Sequence, residues 1–282
     1  MEAPLFGPFF GVWELFSVSD LIYFITQRLD LEVYLVDSKV EIRENERIDD
    51  LQLHGLRLIQ NPEAFCFGVD AVLLSDFTDV KINHRVLDIG TGTGIIPILL
   101  AGKKKAGFIV GLEIQESMAE MASRSVRLNN LENRIEIVSG GIKKYGEYFG
   151  KASFDVVVSN PPYTNKGCGL VNPHDSKAVS RHEILCRLED VVGAAAELLV
   201  PGGQLAMVHR PERLADIICC MRNCGIEPKY LRMVHPKPFK KPNMILIKGN
   251  RGGNPELKVM DPLYVYNSDG TYSEEINRIY SR

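Results

Sequence analysis

From Glu46 onward, two hydrophobic patterns take turns along the chain. The stretch Asp50 to Gln60 (DLQLHGLRLIQ) alternates apolar and polar positions about Gly55 and predicts a strand pair. Phe67 to Phe77 (FGVDAVLLSDF) predicts a short amphipathic helix. Strands are then predicted at RVLDIG, FIVGLEI, RIEIVSG, FDVVVSN and QLAMVH. Helices are predicted between them at IIPILLAGK, ESMAEMASRSVRLNN and LEDVVGAAAELL. Pro97 is tolerated in the first turn of its helix, and Pro201-Gly202-Gly203 is expected to stop the last of these three. ERLADIICCMRNC reads as a helix closed by Gly225 at its C′ position. KYLRMVH and NMILIKGN form a candidate antiparallel hairpin at the end. The strands around Val86, Ile109 and Val156 are almost continuously apolar, as strands buried on both faces of a parallel sheet are. Together these predict an α/β, doubly wound, Rossmann-like fold, mostly parallel, with an antiparallel C-terminal hairpin.

The 282 residues suffice for one large domain plus an extension, expected at residues 46–282 and 1–45. Ala3 to Thr26 is rich in Phe, Leu and Ile, but Pro8, Glu14 and Asp20 interrupt it short of the ~18 residues of a membrane span. Stable membrane insertion is not expected; the segment reads as a non-core extension or as an interfacial anchor helix. A net charge of -3 excludes a coating mode of nucleic-acid binding and permits a local basic patch. Cys66, Cys168, Cys186, Cys219, Cys220 and Cys224 contain no CxxC pair. They are expected to be buried structural thiols in a reducing cytoplasm, with no metal centre.

The chemistry concentrates at strand ends. The first strand runs into Asp88-Ile-Gly90-Thr-Gly92-Thr-Gly94, where glycines let backbone approach a ligand closely. The next strand ends in Glu113, whose carboxylate can accept from both hydroxyls of an adenosyl ribose. The spacing is GxGxG, so it fails the dinucleotide fingerprint at Ile95, and no Lys-Ser or Lys-Thr pair makes it a phosphate loop. Asp88 at its start suits a ligand without a pyrophosphate. A tight glycine turn in some other α/β protein is the bland alternative.

A later strand ends in Asn160-Pro161-Pro162-Tyr163. Two prolines fix φ and remove two donors, so the carbonyls of Asn160 and Pro161 are held as acceptors beside the Asn160 amide oxygen. Acceptors of this kind bind an NH2 group and turn its lone pair toward an electrophile. Tyr163 offers a face on which a planar group stacks. Alone, the tetrad also reads as a rigid turn without chemistry.

GxGxG, the strand-end acid and NPPY together resemble the class I methyltransferases that modify planar NH2 groups: adenine N6, guanine N2 or a glutamine amide. FCFGVDAVLLSDF, SRHEI, LLVPGGQLAMVHRPERL and PLYVYNSDGTYSEEINRIY are similar to the tRNA1(Val) adenine-N6-methyltransferase family from about Glu46 to the C-terminus. That resemblance implies S-adenosyl-L-methionine as cofactor, held by Gly90, Gly92, Gly94 and Glu113, with Asp88, Asn160 and backbone near Ile142 alongside. It implies that Asn160, Pro161, Pro162 and Tyr163 hold a flipped adenine beside a tRNA anticodon. Where relatives place an acid after the third core strand, this chain has Ser139-Gly140-Gly141-Ile142, so a side-chain contact to the cofactor's adenine is in question.

Methyl transfer to an amine needs no strong base, since the proton becomes acidic only as the bond forms. No histidine is assigned to it; His174, His182, His209 and His235 are expected at the surface or as caps. RNA must also be gripped. Lys229, Arg232, Lys237, Lys240, Lys241, Lys248 and Arg251 crowd one stretch around Phe239. Lys237, Phe239, Lys240 and Lys241 are the expected RNA contacts, against the reading of a solvated loop. The rivals are an rRNA guanine-N2 methyltransferase, a glutamine methyltransferase of release factors, and a non-catalytic nucleotide-binding module.

Overall fold

A computed structural model describes residues 40–63, 67–104, 106–161 and 187–280. Most of the expected extension, Pro162, Tyr163, Cys66, Cys168, Cys186, His174 and His182 lie outside the described residues.

A short antiparallel pair comes first, β1 (Arg47–Asp50) with β2 (Arg57–Gln60). It brackets Gly55 as expected, although its first strand ends where the alternating stretch begins. Helix α1 (Val69–Phe77) follows. Then come β3 (Arg85–Ile89), α2 (Ile95–Lys104), β4 (Phe108–Glu113), α3 (Glu116–Leu128) and β5 (Ile135–Ser139). A helical turn over Ile142–Lys144 and Tyr145–Tyr148 leads to β6 (Phe154–Ser159). Beyond it lie α4 (Leu188–Leu198), β7 (Leu199–His209), α5 (Leu214–Asn223), β8 (Ile226–His235) and β9 (Met244–Arg251). Two-residue strands β10 (Lys258–Val259) and β11 (Leu263–Tyr264) and helix α6 (Glu274–Ile279) complete the described chain.

The main sheet runs β5-β4-β3-β6-β7-β9-β8, with β10 and β11 both on the outer edge of β8. β3, β4, β5, β6 and β7 run parallel to one another, and β9 lies antiparallel between β7 and β8. The expected doubly wound, mostly parallel sheet with an antiparallel C-terminal hairpin is therefore what forms.

Successive strand residues face opposite sides of a sheet, and here both sides are dry. Val86, Ile109, Val156, Ala206 and Leu246 pack with α1, α2 and α6. Their neighbours Leu87, Val110, Val157, Leu205 and Ile247 pack with α4 and α5. This is why the strands read as unbroken apolar runs.

Two expectations need correction. Helix α1 is not amphipathic: Ala71, Val72, Leu73, Leu74, Ser75 and Phe77 are all buried. It is wedged against α2 and α6 as well as β7 and β9, so no broad face is left for water. Pro201-Gly202-Gly203 does not stop α4, which ends earlier, where Leu199 turns extended (φ −68°, ψ 141°). These residues bulge from β7 instead, since Phe154 pairs with Leu199 but Val156 pairs with Gln204. Gly202 takes φ +79° there, which a side chain would disfavour.

The β1–β2 pair is fastened to α3 by side chains. Ser125 Oγ accepts from Ile59 N–H (3.1 Å), and Asn129 both accepts from and donates to the Arg57 backbone (2.8 and 2.6 Å). Arg124, its side chain 3% exposed, grips the equally buried Glu46 with two bonds of 2.6 Å and also reaches Glu120. Arg124 holds the Glu46 carboxyl below its ordinary range, against the opposing effect of burial.

Arg124→Ala leaves the Glu46 carboxylate with only the Arg43 N–H and is expected to cost about 1.5–3 kcal/mol in urea unfolding. Replacing both partners with apolar residues should cost much less. Equal losses in the two variants would show that the pair does not act as described.

Candidate active site

β3 and β6 are neighbours, and the helices α2 and α4 that next follow them in the described chain pack on opposite faces of the sheet, the arrangement at whose carboxyl edge α/β sheets bind ligands. The glycine loop, Glu113 and Asn160 all stand at this edge.

The loop leaves β3 still bonded to β4: Gly90 and Thr91 N–H donate to Leu112 O (2.9 and 3.1 Å). Gly94 N–H then donates to Thr91 O (3.0 Å), and α2 begins. Gly90 and Gly92 have φ +76° and +57°. A Cβ at Gly90 would meet nothing within 4 Å, and one at Gly92 only Met118 at 4.0 Å. These two glycines therefore border open space. Gly94 has a packing role instead, because a Cβ there would lie 3.3 Å from that of Ala122 on α3.

Two carboxylates flank the loop. Glu113 is buried and accepts from Gly92 N–H and Gln115 N–H, both at 2.9 Å. Each oxygen still has a lone pair for a ligand hydroxyl. Asp88 is fully buried, and neither of its oxygens has a hydrogen-bond partner; nor does the Thr91 hydroxyl. Burial pushes the Asp88 carboxyl up to about 7; the Thr91 hydroxyl, nearby but outside hydrogen-bond geometry, opposes the rise and the Glu113 charge adds to it. Unpaired buried acceptors, open space beside glycine backbone and a second carboxylate fit a ligand bearing hydroxyls and a cationic amine. They would repel a pyrophosphate.

The third wall explains the missing acid. A Cβ on Gly140 would lie 2.5 Å from the Tyr148 ring, and one on Gly141 would lie 3.0 Å from Ile114. A carboxylate at either place would need one of these side chains to move. Ile142 itself is buried. Ile114, directly after Glu113, is 40% exposed; an apolar surface in this position was not singled out from the sequence.

Asn160 and Pro161 follow β6 and are half-buried. Ser159 Oγ donates to Ile89 O (3.0 Å), tying β6 to β3 below them. Asn160 Nδ2 donates to Asp70 Oδ2 on α1 at 3.1 Å. Asp70 had no sequence signal beyond its place in FGVDAVLL, because its partner is 90 residues away.

His209 ends β7 at the same edge and is buried, not at the surface. Burial lowers its pKa to about 4, with the charges of Arg213 and Arg210 adding to the effect. Its Nδ1 accepts from Arg210 N–H (2.8 Å), which leaves the proton of the neutral ring on Nε2. His235 ends β8, its Nδ1 lying 2.6 Å from Lys240 O across the turn to β9.

The basic stretch divides. Lys248 is buried, bonded to Asp79 (2.6 Å) and Phe77 O. Arg232 grips Glu275 with two bonds, Lys229 reaches Asn254 O, and Arg251 bonds to Leu199 O. Lys237, Phe239, Lys240 and Lys241 occupy the turn between β8 and β9. β8 runs parallel to β7, so this turn stands at the edge that carries the site. Phe239 is fully exposed at φ +64°, and Lys240 and Lys241 are exposed beside it.

The cysteines of α5 also differ from expectation. Cys219 is exposed, and Cys220 and Cys224 are half-buried. Burial, with Cys224 beside it, pushes the Cys220 thiol up to about 12. Among the described residues no cluster of three or more His, Cys, Asp or Glu side chains is placed to hold a metal. Nor is any helix among them long and apolar enough to cross a membrane.

Residues 56–218 match the family described as methyltransferase small domain. The chain is 31% identical over 208 residues to a protein of Aeromonas salmonicida named tRNA1(Val) (adenine(37)-N6)-methyltransferase, spanning 73% of this chain and 85% of that one. It is equally similar, at 31% over 220 residues, to a protein of the same name from Porphyromonas gingivalis, spanning 75% and 86%. The crystal structure of a predicted O-methyltransferase from Agrobacterium tumefaciens shares the fold, with a TM-score of 0.59, 24% identity, and coverage of 75% of this chain and 95% of that one.

Asp88 makes stability depend on pH. Between about pH 4 and about pH 7 the unfolded chain has lost this proton while the folded chain keeps it, so stability falls as pH rises. Asp88→Asn should flatten that slope, gaining more over the natural protein at about pH 8 than at about pH 5 in urea unfolding. An equal difference at both would contradict the assignment.

Proposed function

The chain belongs to the methyltransferase small domain family, and within it to the tRNA1(Val) (adenine-N6)-methyltransferases, and from that membership we propose how its site moves a methyl group to N6 of a tRNA adenine. The observation that carries the reading is the meeting, at one sheet edge, of a glycine loop with two buried carboxylates and the Asn160-Pro161 acceptor pair.

S-adenosyl-L-methionine, when bound, supplies an electrophilic methyl on a sulfonium sulfur. Gly90 and Gly92 let it approach the loop, and Gly94 lets the loop pack closely on α3. Glu113 takes its ribose hydroxyls. Asp88 supplies unpaired acceptors at the loop's base for its polar groups. Backbone at Ile142 meets its adenine, with Ile114 beside it.

The substrate adenine is read as the one beside the anticodon, position 37 in the relatives' name. It must leave its stack to reach the edge, which an RNA loop makes easier. Asn160 Oδ1 and the Pro161 carbonyl accept its two N6 hydrogens and aim the lone pair. Pro162 and Tyr163, outside the described residues, complete the grip, with Tyr163 stacking on the base. Held this way, N6 would receive the methyl group that the bound cofactor supplies, and the amine proton would pass to water. His209, neutral and with Nδ1 occupied, is not needed as a base.

Lys237, Lys240 and Lys241 meet tRNA phosphates while Phe239 stacks on a base. Residues 46–282 act as the methyltransferase domain, with 1–45 as an extension outside it, and a cytoplasmic setting goes with a tRNA substrate.

The reading is tested with labelled S-adenosylmethionine and undermodified tRNA. The natural protein should place label in N6-methyladenosine. Asn160→Ala should lose at least about 100-fold in transfer and keep cofactor affinity; parallel loss of both would contradict the division of roles.

Replacing Lys237, Lys240 and Lys241 together with Ala should weaken tRNA binding and make its log-log salt dependence shallower by about 2. An unchanged slope would remove the turn from the interface.

A further inference from the structure

We propose that Asp70 is a positioning residue for methyl transfer, fixing which way the Asn160 amide faces. The inference rests on the reading of Asn160 as the acceptor for the substrate amine.

A side-chain amide has two nearly equal ends. Its oxygen accepts and its NH2 donates, and a half-turn about the last torsion exchanges them. An unrestrained asparagine at this sheet edge would present its NH2 group to the substrate for part of the time. Two NH2 groups facing each other offer hydrogens and no acceptor, so the substrate lone pair would not be aimed.

Asp70 removes that freedom. Its Oδ2 lies 3.1 Å from Asn160 Nδ2. With Asp70 Oδ2 as acceptor, this contact holds the amide with NH2 toward α1 and Oδ1 on the far side. The carboxylate is itself held in place. Asp70 sits in the first turn of α1, where negative charge is favoured by the helix dipole. Its other oxygen accepts from the N–H of Ala71 at 3.0 Å. Gly68, immediately before α1, leaves room for it, since a Cβ there would lie 2.8 Å from Asp70 Oδ1. Helix α1 is buried around most of its circumference, so the carboxylate stands on a rigid support. In this way the packing that makes α1 non-amphipathic becomes a constraint on the chemistry.

Residues that orient a reacting group through a hydrogen bond typically act on the reaction step by about 10–100-fold. Asp70→Ala should therefore lower kcat by about that factor. The KM for tRNA, the affinity for S-adenosylhomocysteine and the melting temperature should stay close to those of the natural protein. Asp70→Asn should recover most of the loss, because its own Oδ1 can still accept from Asn160. Asp70→Leu, of similar size but without an acceptor, repeats the test should the smaller side chain destabilise α1, and should be as slow as Asp70→Ala. An unchanged kcat in Asp70→Ala and Asp70→Leu would overturn the inference. So would equal losses in cofactor affinity and kcat, or an Asp70→Asn variant as slow as Asp70→Ala. Asn160→Ala run alongside separates the two ideas: if it loses transfer while Asp70→Ala does not, only the positioning role fails. If neither variant is slowed, the reading of Asn160 as the acceptor fails with it.

Discussion

Two parallel strands, β3 and β6, end side by side while helices α2 and α4 lie on opposite faces of the sheet, and the chemistry proposed for this molecule depends on that gap in strand order. Backbone N–H and carbonyl groups at such a gap cannot all be satisfied by the sheet itself. The chain answers with short loops in which glycine takes left-handed φ and with carboxylates that accept stray N–H groups, as Glu113 does for Gly92 and Gln115. Asp88 is the exception, buried with both oxygens unpartnered. An unpaired buried carboxylate opposes folding, and its retention makes sense when a ligand arrives with the missing donors.

The same gap sets how the two halves of the site cooperate. The first half, from the loop to Ile142, belongs to strands β3, β4 and β5. The second, Asn160 and Pro161, belongs to β6, and the Ser159 bond to Ile89 locks the two strands at the rim. Helix α1, from before the sheet begins, closes the arrangement by bonding Asn160 through Asp70. Arg124 and Glu46 in turn fasten the β1–β2 pair that precedes α1 to α3.

Much of this was legible in the sequence because the signals were local. Continuous apolar runs mark strands covered on both faces, and GxGxG with Glu113 and NPPY marks strand ends. The misreadings share one cause, which is that they depend on what comes from elsewhere in the chain. FGVDAVLLSDF looks amphipathic until β7, β9 and α6 are packed around it. Pro201-Gly202-Gly203 looks like a helix stop until β6 draws it into a bulged strand. Lys248, Arg232, Lys229 and Arg251 look like an RNA surface until their partners Asp79, Glu275, Asn254 and Leu199 appear. Asp70 was silent for the same reason. In Gly140 and Gly141 the sequence showed only a missing acid; the structure adds that Tyr148 and Ile114 crowd the space a Cβ would take.

The most direct test of the account is a competition in which the protein, with labelled S-adenosylmethionine, is offered undermodified tRNA, rRNA and a peptide release factor in one mixture. The account predicts label in tRNA alone, recovered in the nuclease fragment that holds the adenine beside the anticodon. Label in rRNA guanine or in the release-factor glutamine, or no label anywhere despite bound cofactor, would contradict it.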